Sequence, residues 1–119
     1  MMKIIIGVFL VLVCSIYSCK KQGIETFDCA GTVATYNGTV KAILDSKCAT
    51  SGCHNATSNA AGINLSSYSS AKSVAGQDKF LGSIQHKSGF SKMPQDASKL
   101  DDATIKTLSC WVQNGTPEN

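Results

Sequence analysis

Apolar residues are spread unevenly along this chain. Ile4 to Val13 is an apolar run broken only by Gly7, and Met1-Met2-Lys3 ahead of it supplies a positive start. The run is too short to span a bilayer comfortably and has the shape of a signal-peptide core. Residues 20 to 36 then show no clear period. From Asn37 the pattern turns helical. With Asn37 or Thr39 as cap, Val40, Ile43 and Leu44 share one face of a helix through Lys47. The polar run Asn55 to Gly62 predicts a loop. Ser66 or Ser67 caps a short helix carrying Tyr68, Ala71 and Val74, closed by Gly76. Asp78 caps another, with Phe80, Leu81 and Ile84 inward. Residues 87 to 99 read as a loop around Gly89, Met93 and Pro94. The last element is the clearest: Asp101 caps it, Asp102 suits its positive start, and Ile105, Leu108 and Val112 recur on one face. Asn114-Gly115 ends it and Pro117 prevents resumption. No strand alternation or internal repeat is present, so the expected class is all-α and the length suits one domain.

The end of the first apolar run changes the reading of the cysteines. Ile16-Tyr17-Ser18-Cys19 resembles the lipobox of bacterial lipoproteins: an aliphatic residue, then a small one directly before a cysteine. Cys14 fits less well, because Val13 before it is not small. The alternatives are an uncleaved anchor or an ordinary secretory signal. The resemblance implies a signal peptide at 1–18, a lipidated Cys19, a tether at 19–37 and a domain at 38–116. The mature chain is then exported, on the periplasmic side or cell surface, and lipid-anchored to a bacterial membrane. Four cysteines remain to meet an oxidising compartment: Cys29, Cys48, Cys53 and Cys110.

The mature part has few large apolar groups, its aromatics being Phe27, Tyr36, Tyr68, Phe80, Phe90 and Trp111. So thin a core calls for disulfides, a metal or a cofactor. Net charge is +3, carried by lysine without arginine. Nucleic acid is excluded as a partner, since it favours dense basic patches with arginine forks.

Cys48-Ala49-Thr50-Ser51-Gly52-Cys53-His54 carries the chemistry. Two cysteines followed at once by a histidine is the signal for covalent attachment of haem c, in its usual form with two spacer residues. The thiols join the two vinyl groups and the imidazole reaches the iron from the same side. Four spacers depart from that form. On a helix, two spacers put both sulfurs on one face, whereas four point them apart. The extra residues must therefore bulge outward, and Gly52 can supply the positive φ of the kink. The competing readings are a Cys48–Cys53 disulfide beside an exposed His54, and a zinc site. Zinc wants four N/S ligands, and the other candidates, Cys29, Cys110 and His86, are distant singles.

Met93 is the one methionine beyond the signal, in Lys92-Met93-Pro94. A lone methionine is ordinarily core filler. In a polar lysine-rich loop it reads instead as a sixth ligand, and Pro94 restrains it to extended backbone. His86 competes for that position, although a histidine at a helix end is often only a cap.

On these residues the chain resembles class I cytochrome c domains over residues 38 to 116: Ile43-Leu44 before the thiol motif, Met93-Pro94, and the run LDDATIKTLSCWVQNG. It is most similar to small bacterial lipoprotein cytochromes. The resemblance implies a small cytochrome c-like fold, with N- and C-terminal helices packed around one covalent haem. It makes Cys48 and Cys53 the thioether sites, and His54 and Met93 the axial ligands to iron. Trp111 is placed near the haem by the resemblance and reads equally well as plain core. Many relatives carry a proline after the motif whose carbonyl orients the histidine. None stands here, so another carbonyl must accept the His54 N–H.

Cys29 and Cys110 are then left over. If the ends of the domain meet, a disulfide between them closes a loop of about 80 residues, for up to about 4 to 5 kcal/mol. Two unpaired buried thiols would be the alternative.

The function expected is single-electron transfer to and from redox partner proteins by a membrane-tethered carrier, not an enzyme. Lys79, Lys87, Lys92 and Lys99 fall around Met93. Such lysines are ordinarily just solvated; as a group they would offer a positive rim to an acidic partner. The rivals are a haem-based ligand sensor with displaceable Met93, a haem enzyme, and a haem-free, disulfide-stapled surface or binding module. An enzyme needs an open iron with an acid/base group beside it, and no His/Arg/Asp set surrounds Met93.

Overall fold

The computed structural model describes residues 23–119; the signal segment 1–18 and Cys19 lie outside the described residues. A π-helical turn, Tyr36–Val40, runs directly into α1, Lys41–Lys47. A 3-10 turn, Ala60–Gly62, precedes α2, Tyr68–Ala75, and α3, Asp78–Ile84. α4, Asp102–Gln113, closes the domain. The class is all-α, with no strand among the described residues.

Two helix starts differ from the sequence expectation. The first helical stretch begins before Asn37, and its cap is Thr35, whose Oγ1 accepts from the Gly38 N–H at 3.1 Å. The cause is long-range. The Tyr36 and Asn37 amides donate to the Pro117 and Glu118 carbonyls, both at 2.9 Å. The C-terminal tail therefore satisfies helix-start donors that local sequence leaves open. In α3 the cap residue is Gln77, and Asp78 sits inside the first turn, where its charge still favours the helix start. The cap of α2 is Ser67, as expected, but its hydroxyl bonds Ser70 Oγ instead of a backbone amide. At α4 the expectation holds fully: Asp101 Oδ1 accepts from the Thr104 N–H at 2.9 Å.

The core joins the two ends of the domain. The Tyr36–Val40 turn packs on α4, and α3 packs on both α4 and α2. Val40, Leu44, Leu108 and Trp111 are fully buried at the centre. Trp111 lies against Tyr36, ring centroids 6.2 Å apart, and its Nε1–H donates to the Pro117 carbonyl at 3.0 Å. It is a core aromatic with a satisfied N–H, and truncating such a side chain costs about 3–5 kcal/mol.

The segment before the first helix is bonded to this core. A disulfide joins Cys29 to Cys110 of α4 across 81 positions of sequence. Two glutamines grip its backbone. Gln113 accepts from the Phe27 N–H through Oε1 and donates to the Phe27 carbonyl through Nε2, both at 2.9 Å. Gln85, buried, does the same to Glu25 at 2.8 and 2.9 Å. Each amide satisfies both polar groups of one extended residue, as a neighbouring strand would.

Candidate functional site

The motif begins where α1 ends. Cys48 is the C-cap, and its N–H still donates to the Leu44 carbonyl. The chain then leaves the helix. Gly52 takes φ +79, the left-handed kink that the four-residue spacer requires, and the Cys53 N–H turns back to the Thr50 carbonyl at 3.0 Å. The His54 N–H donates to the Cys48 carbonyl at 3.1 Å. The spacer thus leaves the helix as a loop, with Ala49 packed on the core and Ser51 exposed, while the residues on either side of it meet. Asn55 fastens the bulge: its Oδ1 accepts from the Thr57 and Ser58 amides, and its Nδ2 donates to the Thr50 carbonyl at 3.1 Å.

His54 is oriented by backbone. Its Nδ1 lies 3.2 Å from the Ala60 carbonyl and 3.3 Å from the Ile63 carbonyl. Carbonyls only accept, so Nδ1 carries a proton, and in the neutral ring the lone pair falls on Nε2. This is how a metal-binding imidazole is normally fixed, with the outer nitrogen held by a carbonyl. The carbonyls come from the 3-10 turn and the residue after it.

His54 and both thiols border a cavity of about 830 Å³. Across the fold its wall continues through Phe80 and Ile84 of α3, Phe90, Met93 and Leu100. The size falls within the range of cofactor and small-ligand sites, and the lining is more apolar than polar. Its charged lining residues are Lys47 and Lys79, with no carboxylate among them. Met93 stands on this wall; His86 does not, and its Nε2 lies 3.0 Å from the Met93 carbonyl instead. Of the lysines near Met93, Lys87 pairs with Glu25 at 3.4 Å and Lys99 lies 3.9 Å from Asp102.

Cys48 and Cys53 are both free thiols. Burial pushes the Cys48 thiol up to about 11, and the Cys53 thiol nearby adds to the rise. A thiol held protonated at neutral pH is a poor redox nucleophile. Among the described residues, no three His, Cys, Asp or Glu side chains gather as a zinc site would require. No helix among them is long and apolar enough to cross a membrane.

Comparison with family models, curated proteins and solved structures found no match.

Three features of the site were not visible as motifs. The His54 acceptors are backbone atoms, which sequence does not mark. The Phe90 ring lies directly over Gly82, where an added Cβ would come within 2.5 Å of it. A glycine inside the apolar stretch of α3 was the available signal for that close approach. Lys47 and Lys79 reach the cavity from separate helices, a juxtaposition that only the fold creates.

Proposed function

We propose that this chain is a c-type cytochrome that carries single electrons, lipid-anchored through Cys19 on the exported side of a bacterial membrane. Cys48 and Cys53 would hold one haem c by thioether bonds, with His54 Nε2 and Met93 Sδ as axial ligands and a cytochrome c-like arrangement of the helices around it. The observation that carries this reading is the orientation of His54. Its Nδ1–H is committed to the Ala60 and Ile63 carbonyls, so in the neutral imidazole the lone pair is on Nε2. That imidazole, two reduced thiols and the one mature-chain methionine border a single cavity of about 830 Å³.

When bound, the haem supplies a one-electron redox centre; the protein supplies ligands, burial and a docking face. A Met93 thioether and a His54 imidazole as its ligands would raise its potential. The apolar wall of Phe80, Ile84, Phe90 and Leu100 would limit water around the ligands of a bound haem. Lys47 and Lys79 bring positive charge to the cavity edge, suited to the carboxylates of a haem. Carrying single electrons needs no acid/base group, and the partners would be redox proteins.

The test is maturation of the chain beside haem-attachment machinery. The denatured product should exceed the polypeptide mass by one haem. Cys48→Ser or Cys53→Ser should leave a single thioether, and the double change none. A matured chain that carries no haem refutes the reading.

A further inference from the structure

His86 stands just past the end of α3, and its backbone is left-handed, φ +54. The bonds around it define a particular helix end. The Lys87 N–H donates to the Gly82 carbonyl at 2.9 Å, and the His86 N–H donates to the Ser83 carbonyl at 3.2 Å. These are the two crossed bonds of a Schellman cap. Its left-handed residue is ordinarily glycine, which has no Cβ to crowd the following carbonyl. Histidine here carries a conformational cost that glycine would avoid, and such outliers point to a use for the side chain.

The use is visible in the ring. His86 Nε2 lies 3.0 Å from the Met93 carbonyl, which can only accept, so Nε2 is the donor. The Met93 N–H donates to the Ser83 carbonyl at 3.1 Å. Both backbone polar groups of Met93 are therefore tied to the end of α3, one through main chain and one through the His86 ring. The intervening residues close on themselves, with the Phe90 N–H on the Lys87 carbonyl and the Phe90 ring laid over Gly82. Met93 lines the cavity of His54 and the thiols, which His86 does not; both border an adjoining open cavity of about 990 Å³.

We infer that His86 is a positioning residue that clamps the Met93 backbone so that the thioether faces the cavity, and that it is not the distal ligand itself. The inference rests on the reading of the cavity as a haem site. Fixing both polar groups of Met93 removes freedom at the Cα from which the side chain departs. Less ordering is then needed when the sulfur binds, which is the advantage of preorganisation. The clamp acts as an outer-shell partner does, through the ligand's own residue.

The left-handed backbone makes the test clean. His86→Gly removes the ring and suits the cap, so the chain should fold and melt close to the parent. Imidazole added to the matured ferric protein competes with Met93. Its affinity should rise on the order of fivefold in His86→Gly, the fold-change of one neutral hydrogen bond. The weak long-wavelength band of sulfur ligation should fade in step. His86→Gln, which keeps an N–H donor of similar reach, should move both readouts back toward the parent. Amide hydrogen exchange at Met93 gives a reading that does not depend on haem, and it should be faster in His86→Gly. Parental imidazole affinity together with parental Met93 exchange overturns the inference. So does loss of the low-spin spectrum in His86→Gly when Met93→Ala leaves that spectrum unchanged, because His86 is then the ligand. If the matured chain carries no haem, the cavity reading falls; Met93 exchange alone then decides whether the clamp exists.

Discussion

Gly82 and Phe90 offer the sharpest test of how the cavity wall is built. Gly82 is buried within α3, and a Cβ placed on it would stand 2.5 Å from Phe90 Cγ and Cδ2 and 2.7 Å from Cδ1. Carbon atoms in good contact are about 3.5–4.0 Å apart, so the ring must retreat by roughly 1 Å. A flexible side-chain tip yields easily; an aromatic ring in a wall does not. Overpacking of this kind costs about 1–3 kcal/mol. Replacing a helix-interior glycine by alanine returns about 1 kcal/mol through propensity. Gly82→Ala should therefore cost a net ~1 kcal/mol, or about 4–8 °C in melting temperature for a domain of this size. The sign should reverse when the ring is gone. In a Phe90→Ala background only the propensity gain remains, and Gly82→Ala should stabilise by about 1 kcal/mol. Thermal or urea unfolding of the four variants closes the cycle, with a coupling of about 1–3 kcal/mol. If Gly82→Ala has the same effect in both backgrounds, the ring does not occupy the space above Gly82 and the argument fails.

Three other outcomes are expected. Replacing Cys29 and Cys110 together by serine opens a link that spans 81 positions, and urea unfolding should show a loss of about 2–4.5 kcal/mol, the upper figure being the chain-entropy limit. The haem-free protein should lose stability between about pH 8.5 and 11: burial raises the Cys48 thiol to about 11, so the folded state holds a proton that the unfolded chain releases, and Cys48→Ala should flatten that limb. Bonds from the Thr104 hydroxyl and then its amide hold the Asp101 carboxyl below its ordinary value. Its contribution is therefore complete above about pH 3.9 and disappears as pH falls through the folded value, a loss that Asp101→Asn should not show on acid titration because asparagine caps without titrating.

What could be read in advance divides by range. α4 was legible because its signals are local: a capping Asp101, an apolar face at helical spacing and an Asn-Gly stop. The start of the first helical stretch was not, because the Tyr36 and Asn37 amides are satisfied by the tail some 80 positions on. The Cys29–Cys110 bond was legible by elimination, but the Gln85 and Gln113 grips beside it were not, since an exposed-looking glutamine carries no mark of the backbone it will hold. For the site, the thiols, His54 and Met93 announced themselves by residue type, and the fold places all four on one cavity. His86 was readable as cap or competitor; its contact with the Met93 carbonyl depends on a left-handed backbone that histidine adopts only occasionally. The lysine group around Met93 could not account for Glu25, which the strapped N-terminal segment brings to Lys87.

The four-residue spacer finds its explanation in hydrogen bonds instead of helical pitch. With two spacers, one helical turn alone would put both thiols on the same face. Here α1 stops at Cys48, and no helix continues between the thiols. The His54 N–H reaches back to the Cys48 carbonyl, so residues 48 and 54 are joined whatever path the chain takes between them. The path itself is held from outside. Ser58 Oγ accepts from the Gly52 N–H at 2.9 Å, and Asn55 ties Thr50 to the turn that follows. The same turn leads into the Ala60–Gly62 segment, whose Ala60 carbonyl, with that of Ile63, orients His54. One closed loop therefore does two things. It gathers the thiols, and it sets the imidazole. The longer spacer is tolerated because its residues are small, and because the polar loop after it is long enough to fold back and brace them.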